Sequence, residues 1–140
     1  MVLTNQIAQS VITAATTKAS DLGALVSIAV VDAGGNLVAF SRMDGAEIAG
    51  PILAVDKAFT SVSNKIRTDE LAKLASPGGP LYGIHANGNG RFVIFGGGIP
   101  VFVDGQPIAG IGVSGGAVEE DIACAEAGLA VAVSHIPGAS

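Results

Sequence analysis

Residues 96–116 read Gly-Gly-Gly-Ile-Pro, then Val-Phe-Val-Asp-Gly-Gln-Pro-Ile-Ala-Gly-Ile-Gly-Val-Ser-Gly-Gly, and they restrict the fold more than any other stretch of the chain. Asp104-Gly105 sits between apolar runs and supplies the positive-φ residues that a two-residue hairpin turn needs. Gly110 and Gly112 lie two apart, so they share one face of the second hairpin strand and leave it without side chains. A bare strand face calls for a close neighbour, which is a helix of the same chain, a flat ligand or a partner subunit.

The flanking pattern supplies helices and further strands. Thr4 is placed to cap a first helix that buries Ile7, Val11, Ala15 and Leu22 and stops at Gly23. Residues 25–31 are nearly continuously apolar, as in a strand covered on both faces, and Asp32-Ala-Gly-Gly-Asn36 turns the chain into a second strand at 37–42. Ile48, Ile52, Val55, Phe59, Val62 and Ile66 alternate steps of four and three, which predicts the buried face of a central helix with Pro51 in its first turn. Thr68, Asp69 and Glu70 open a short helix, residues 76–91 form a long loop, and 92–95 read as a third strand ahead of the hairpin. Val118, Ile122, Ala125, Leu129 and Ala132 mark the buried stripe of a last helix. This order predicts an α+β fold in a single domain over 1–140, with helices packed on a five-stranded antiparallel sheet.

Composition narrows the function. With 140 residues, 49% of them hydrophobic, the chain is long enough for one buried core, and with 4% aromatics and no Trp that core is aliphatic and tightly packed. A net charge of -5 with seven scattered basic residues argues against nucleic acid or an anionic membrane as partner. A single cysteine excludes an intrachain disulfide, and no apolar run reaches the length of a membrane span. The amino-terminal residues lack the pattern of a signal peptide, so a cytoplasmic location is expected.

Several motifs together resemble the GlcG/HbpS haem-binding family, which includes the C-terminal domain of PduO-type proteins and the DUF336 group. They are Val30-Val31-Asp32-Ala-Gly-Gly-Asn36, Arg42-Met43-Asp44-Gly45-Ala46, Lys57-Ala58, Gly-Gly-Gly-Ile-Pro at 96–100, Gly110-Ile-Gly-Val-Ser-Gly-Gly, Asp121 and Ala127-Gly128. The resemblance covers nearly the whole chain. It implies a profilin-like five-stranded architecture, non-covalent haem as cofactor and assembly into homo-oligomers.

Non-covalent haem needs an apolar slot, usually an axial ligand, and cations or amides for its propionates. His85 and His135 are the only imidazoles. Residues 4–22 contain none, although haem-binding relatives lead one to expect a histidine there. His85, in the long loop with Tyr82 and Arg91, is therefore the candidate iron ligand, whereas His135 beside Pro137 belongs to a frayed end with a surface role. Arg42, Lys57 and Arg91 are the candidate anion contacts.

A second reading uses the same residues as an enzyme. An isomerase, lyase or hydratase acting on a small anionic metabolite would hold a carboxylate with Arg42, Lys57 or Arg91 and move a proton with Asp44, Lys57 or His85. A third reading is a non-catalytic accessory subunit. The chain has no phosphate-binding loop, no His-Glu-x-x-His and no Cys-x-x-Cys, and Ser114 lacks the spacing of a nucleophile elbow. Lys57 is placed on the polar side of its helix, and Cys124 is read as a packed small residue off the buried stripe. The glycine-rich hairpin, or the small-residue helix after it, is the expected contact in a closed homo-oligomer.

Overall fold

The computed structural model describes residues 2–140. Helix α1 (Asn5–Leu22) is capped by Thr4, whose Oγ1 accepts from Ile7 N at 3.1 Å, and ends at Gly23 in the left-handed region. Strands β1 (Ser27–Asp32) and β2 (Leu37–Arg42) follow, then α2 (Gly50–Asn64) and α3 (Thr68–Leu74). Two 3-10 turns occupy Ile84–Ala86 and Gly88–Gly90, and β3 (Gly98–Val103), β4 (Gln106–Ser114) and α4 (Val118–His135) complete the order. The β3–β4 hairpin turns at Asp104 and Gly105, both with positive φ, as the sequence requires.

The sheet is antiparallel throughout, in the order β2-β1-β4-β3. It has four strands rather than the expected five. Residues 92–95 form no strand and stay outside it: Val93 N donates to Thr60 Oγ1 on α2 at 3.0 Å and Phe92 stacks on Phe59. The apolar run thus packs on a helix instead of pairing with a strand.

Period-two alternation assigns the two faces of the sheet. Ile28, Val30, Ile99, Val101, Ala109, Ile111 and Val113 point to one face and form the main core with α1 and α4. The opposite face belongs to α2. There Gly98 and Ala29 flank Gly112, and Pro100 and Val31 flank Gly110. This face is bare because α2 lies directly on it: a Cβ added at Gly112 would overlap the Ala54 carbonyl oxygen, and one at Gly110 would come within 2.5 Å of Ala58 O. The glycine face is therefore filled by the chain's own helix, and the hairpin glycines are not free to form an oligomer contact.

This close approach also shifts the expected face of α2, although Val62 is buried on it as expected and Val55 packs against it. The residues turned to the sheet are Gly50, Ala54, Lys57, Ala58, Ser61 and Val62. Ile48 and Ile52, read as core positions, are 91% and 70% exposed. Small residues win the inner face because a Leu- or Ile-sized side chain would hold the helix off the sheet. In α1, Leu22 is exposed and Ala8, Ile12 and Ala19 take the buried positions. In α4, Cys124 lies on the buried stripe rather than beside it. The carboxy terminus is pinned rather than frayed, since Phe102 and Ser140 exchange backbone hydrogen bonds at 2.8 and 2.9 Å. Among the described residues no helix is long and apolar enough to cross a membrane.

Gly112→Ala should therefore destabilise the protein by about 3 kcal/mol or more, the upper end of overpacking costs, because the clash is with helix backbone. Gly128→Ala is the contrast. Its Cβ would meet the Val11 Cγ1 side-chain atom at 2.9 Å rather than backbone, and helix propensity favours Ala by about 1 kcal/mol, so the change should cost clearly less than Gly112→Ala. Urea unfolding of both variants measures the difference.

Candidate functional site

Lys57 is fully buried between α2, the end of β4 and the start of α4. Its ammonium donates to Val113 O at 2.9 Å and to Asp121 Oδ2 at 3.2 Å, and lies 4.9 Å from the centre of the Phe95 ring. Two of the ammonium's three donors thus have hydrogen-bond partners, and the Phe95 ring lies within cation–π range. Asp121 is held in turn, its Oδ1 accepting from Gly116 N at 2.8 Å. Gly97 makes room for this arrangement: a Cβ there would stand 2.8 Å from Lys57 Nζ. The expected polar helix face is thus an internal clamp.

Burial is the dominant influence on both charges. It pushes the Lys57 ammonium below the ordinary lysine value, against the opposing attraction of Asp121. It pushes the Asp121 carboxyl above the ordinary range, against Lys57 and the Gly116 N–H. A lysine shifted down carries its cost at low pH and loses it as pH rises toward its unfolded value. A carboxyl shifted up carries its cost at high pH and loses it as pH falls through its folded value. Sealing the pair is therefore most costly between those two windows, at neutral pH.

The remaining sequence candidates do not gather around Lys57. Arg42 donates from Nε and Nη2 to Ala46 O and so closes its own loop, and it makes no ion pair with the exposed Asp44. Arg91 lies over Phe59, 3.7 Å from the ring centre, with Nε donating to Asp56 Oδ1 at 2.9 Å. No hydrogen bond or ion pair joins any two of Arg42, Asp44, Lys57, His85 and Arg91 among the described residues. Ser114 closes β4 opposite Ser27 and is buried, with no imidazole beside it. Burial raises the Cys124 thiol to about 11, which leaves it unreactive.

The two histidines lie on different surfaces. His85 is exposed in the first 3-10 turn, edge-on to Tyr82 with ring centres 6.3 Å apart, and no hydrogen bond fixes its ring. His135, the last residue of α4, is held: its Nδ1 is 2.9 Å from Val131 O and 3.1 Å from Ser134 Oγ. It lines an open groove of about 440 Å³ between α1 and α4. Reading 135 as a frayed end hid this, and the pairing of Phe102 with Ser140 that holds the terminus leaves no local sequence signal. Among the described residues no cluster of three or more His, Cys, Asp or Glu could hold a metal ion.

Lys57→Met should cost about 3–5 kcal/mol at pH 7, because it leaves Asp121 buried without its counter-charge. In Lys57→Met with Asp121→Asn the amide keeps an acceptor for Gly116 N and no charge is buried, so most of that loss should return. Chemical unfolding at pH 7 decides. A single variant within about 1 kcal/mol of the parent would show that the clamp contributes little.

A family model described as haem degrading protein, HbpS-like, matches residues 3–130. An uncharacterized 15.0 kDa protein from the dhaT-dhaS intergenic region of Citrobacter freundii is 40% identical over 112 residues, 80% of this chain and 79% of that protein. The crystal structure of a PduOC:heme complex superposes with a TM-score of 0.89 at 36% identity, over 94% of this chain and 95% of that one. A double mutant of HbpS from Streptomyces reticuli gives a TM-score of 0.84 at 38% identity, over 94% and 87%. On the family match across nearly its whole length, supported by these relatives, the chain belongs to the HbpS-like family.

Proposed function

We propose that this protein binds haem non-covalently. The observation that carries the reading is its likeness, over 94% of its length, to a protein solved as a haem complex. The chain offers such a group two exposed imidazoles, His85 and His135, and exposed apolar side chains. Bound haem would supply the redox chemistry of its iron, and the protein supplies the ligand and the slot. His85 has Tyr82 and the half-exposed Leu81 as neighbours in the loop, and Arg91 keeps its terminal nitrogens free for an anion. Lys57 and Arg42 are engaged by partners of their own and serve the fold.

Titration with haemin should give a Soret shift that saturates near one haem per subunit or per interface, with micromolar affinity or better, about -8 kcal/mol. Affinity weaker than about 100 μM would defeat the reading.

The protein also presents apolar surface suited to self-association, away from the filled glycine face. Ile48, just before α2, and Ile52 in its first turn project outward, while Phe95 and Val118 flank Gly96 with 40% and 42% of their surface exposed. A closed homo-oligomer would cover these groups. Light scattering at micromolar concentration should give a multiple of the subunit mass, and Ile48→Glu with Ile52→Glu should split it into folded subunits. A monomeric parent would exclude the assembly.

A further inference from the structure

We infer that the cleft between the β1–β2 turn, the end of α2 and the start of β4 binds a small organic carboxylate with a compact apolar body, held by the charge of Lys65. The cleft has a volume of about 410 Å³, within the roughly 300–1,000 Å³ of ligand sites. Phe59, Val62 and Pro107 give it an apolar wall, and Lys65 is the one charged residue that lines it. Lys65 makes no hydrogen bond or ion pair through its side chain among the described residues, whereas Lys57 and Lys73 each face a carboxylate. The side-chain amide of Gln106, also at the cleft, is likewise unpartnered. In a chain of net charge -5, an unpaired cation beside apolar surface favours an anion that carries an apolar body. None of these residues is among the haem candidates, so the inference stands apart from the haem reading.

The walls of the cleft are fixed by contacts of their own. Lys65 ends α2 at φ 55° and ψ 42°, the left-handed conformation that glycine most often takes at this position. The other non-glycine residues with positive φ are Asn89 and Asp104, types that tolerate it. A lysine here works against backbone preference, so its side chain and not the turn recommends the residue. Gly35, at φ 79°, leaves room for the Phe59 ring, which lies 2.8 Å from where a Cβ would stand, and Arg91 covers that ring at 3.7 Å. Asp32 Oδ1 accepts from Gly34 N and Asn36 N, both at 2.9 Å, and locks the turn opposite. The negative end of α2 does not cancel the lysine. Ser63 Oγ, Asn64 Nδ2, Ile66 N and Lys65 N donate to the carbonyls of Phe59, Thr60, Ser61 and Val62 in turn. What is left of the roughly half charge of a helix end is smaller than the unit charge of the ammonium.

Benzoate is the probe, with benzamide as its uncharged counterpart, each titrated into nitrogen-15-labelled protein without haemin. Benzoate should shift the backbone amides of Gly34, Gly35 and Gln106 to saturation with a Kd of about 1 mM or tighter, and benzamide should bind at least about tenfold more weakly. Lys65→Gly should keep at least the parental thermal midpoint, since glycine takes this conformation freely, and should lose about tenfold or more in benzoate affinity. Lys65→Arg keeps the charge and should stay within about threefold of the parent. Shifts that do not saturate by about 10 mM, saturating shifts confined to other residues, or equal affinity for benzamide would each overturn the inference. So would a Lys65→Gly variant that binds benzoate as the parent does.

Discussion

Backbone contact between α2 and the glycine face of β3 and β4 sets the distances on which the other packing depends. Gly98, Gly110 and Gly112 let the helix axis come so near the sheet that Ala54 and Ala58 touch strand backbone. At that separation only small side chains fit between helix and sheet. Lys57 is the exception, and it reaches to Val113 O near the end of β4 and to Asp121. The clamp joins α2 to the start of α4, which packs on the opposite face of the sheet, so one side chain couples the two layers of helix.

The same clamp decides what the surface has left to offer. A buried lysine invites a catalytic assignment, yet it is fully buried, hydrogen-bonded to Val113 O and Asp121 and flanked by the Phe95 ring. Arg42 and Arg91 are likewise tied, one to its own loop and the other to Asp56 and Phe59. What remains accessible includes the two imidazoles, apolar surface and the terminal nitrogens of Arg91. These groups suit a flat apolar cofactor with carboxylate arms better than a small anion.

Local rules made much of this legible before any coordinates. The Asp104-Gly105 turn, the Thr4 cap, the Gly23 stop and the central strand at 27–32 follow from positive φ, capping chemistry and two-sided burial. The bare face of β4 announced a close neighbour, though its identity needed the fold. The face of α2 was misread at its amino-terminal end, though not at Val55 and Val62, because hydrophobic period ranks residues by transfer energy, while this interface selects for size. Ile48 and Ile52 lost the inner positions to Gly50 and Ala54 for that reason. The run at 92–95 has strand composition, but Thr60 takes its backbone donor, and nothing local reports a partner 33 residues away. Lys57 and Asp121 are 64 residues apart and show no spacing signal, so their pairing lies beyond local reading.

The central claim is that Lys57 is an internal clamp and not a group awaiting a ligand. Nitrogen-15 NMR of the lysine ammonium groups tests it most directly. The Lys57 Nζ protons should exchange with solvent far more slowly than those of Lys18, Lys65 and Lys73, and the resonance should titrate below the ordinary lysine value, as burial requires. An Nζ signal that exchanges as fast as the other lysines would contradict the account.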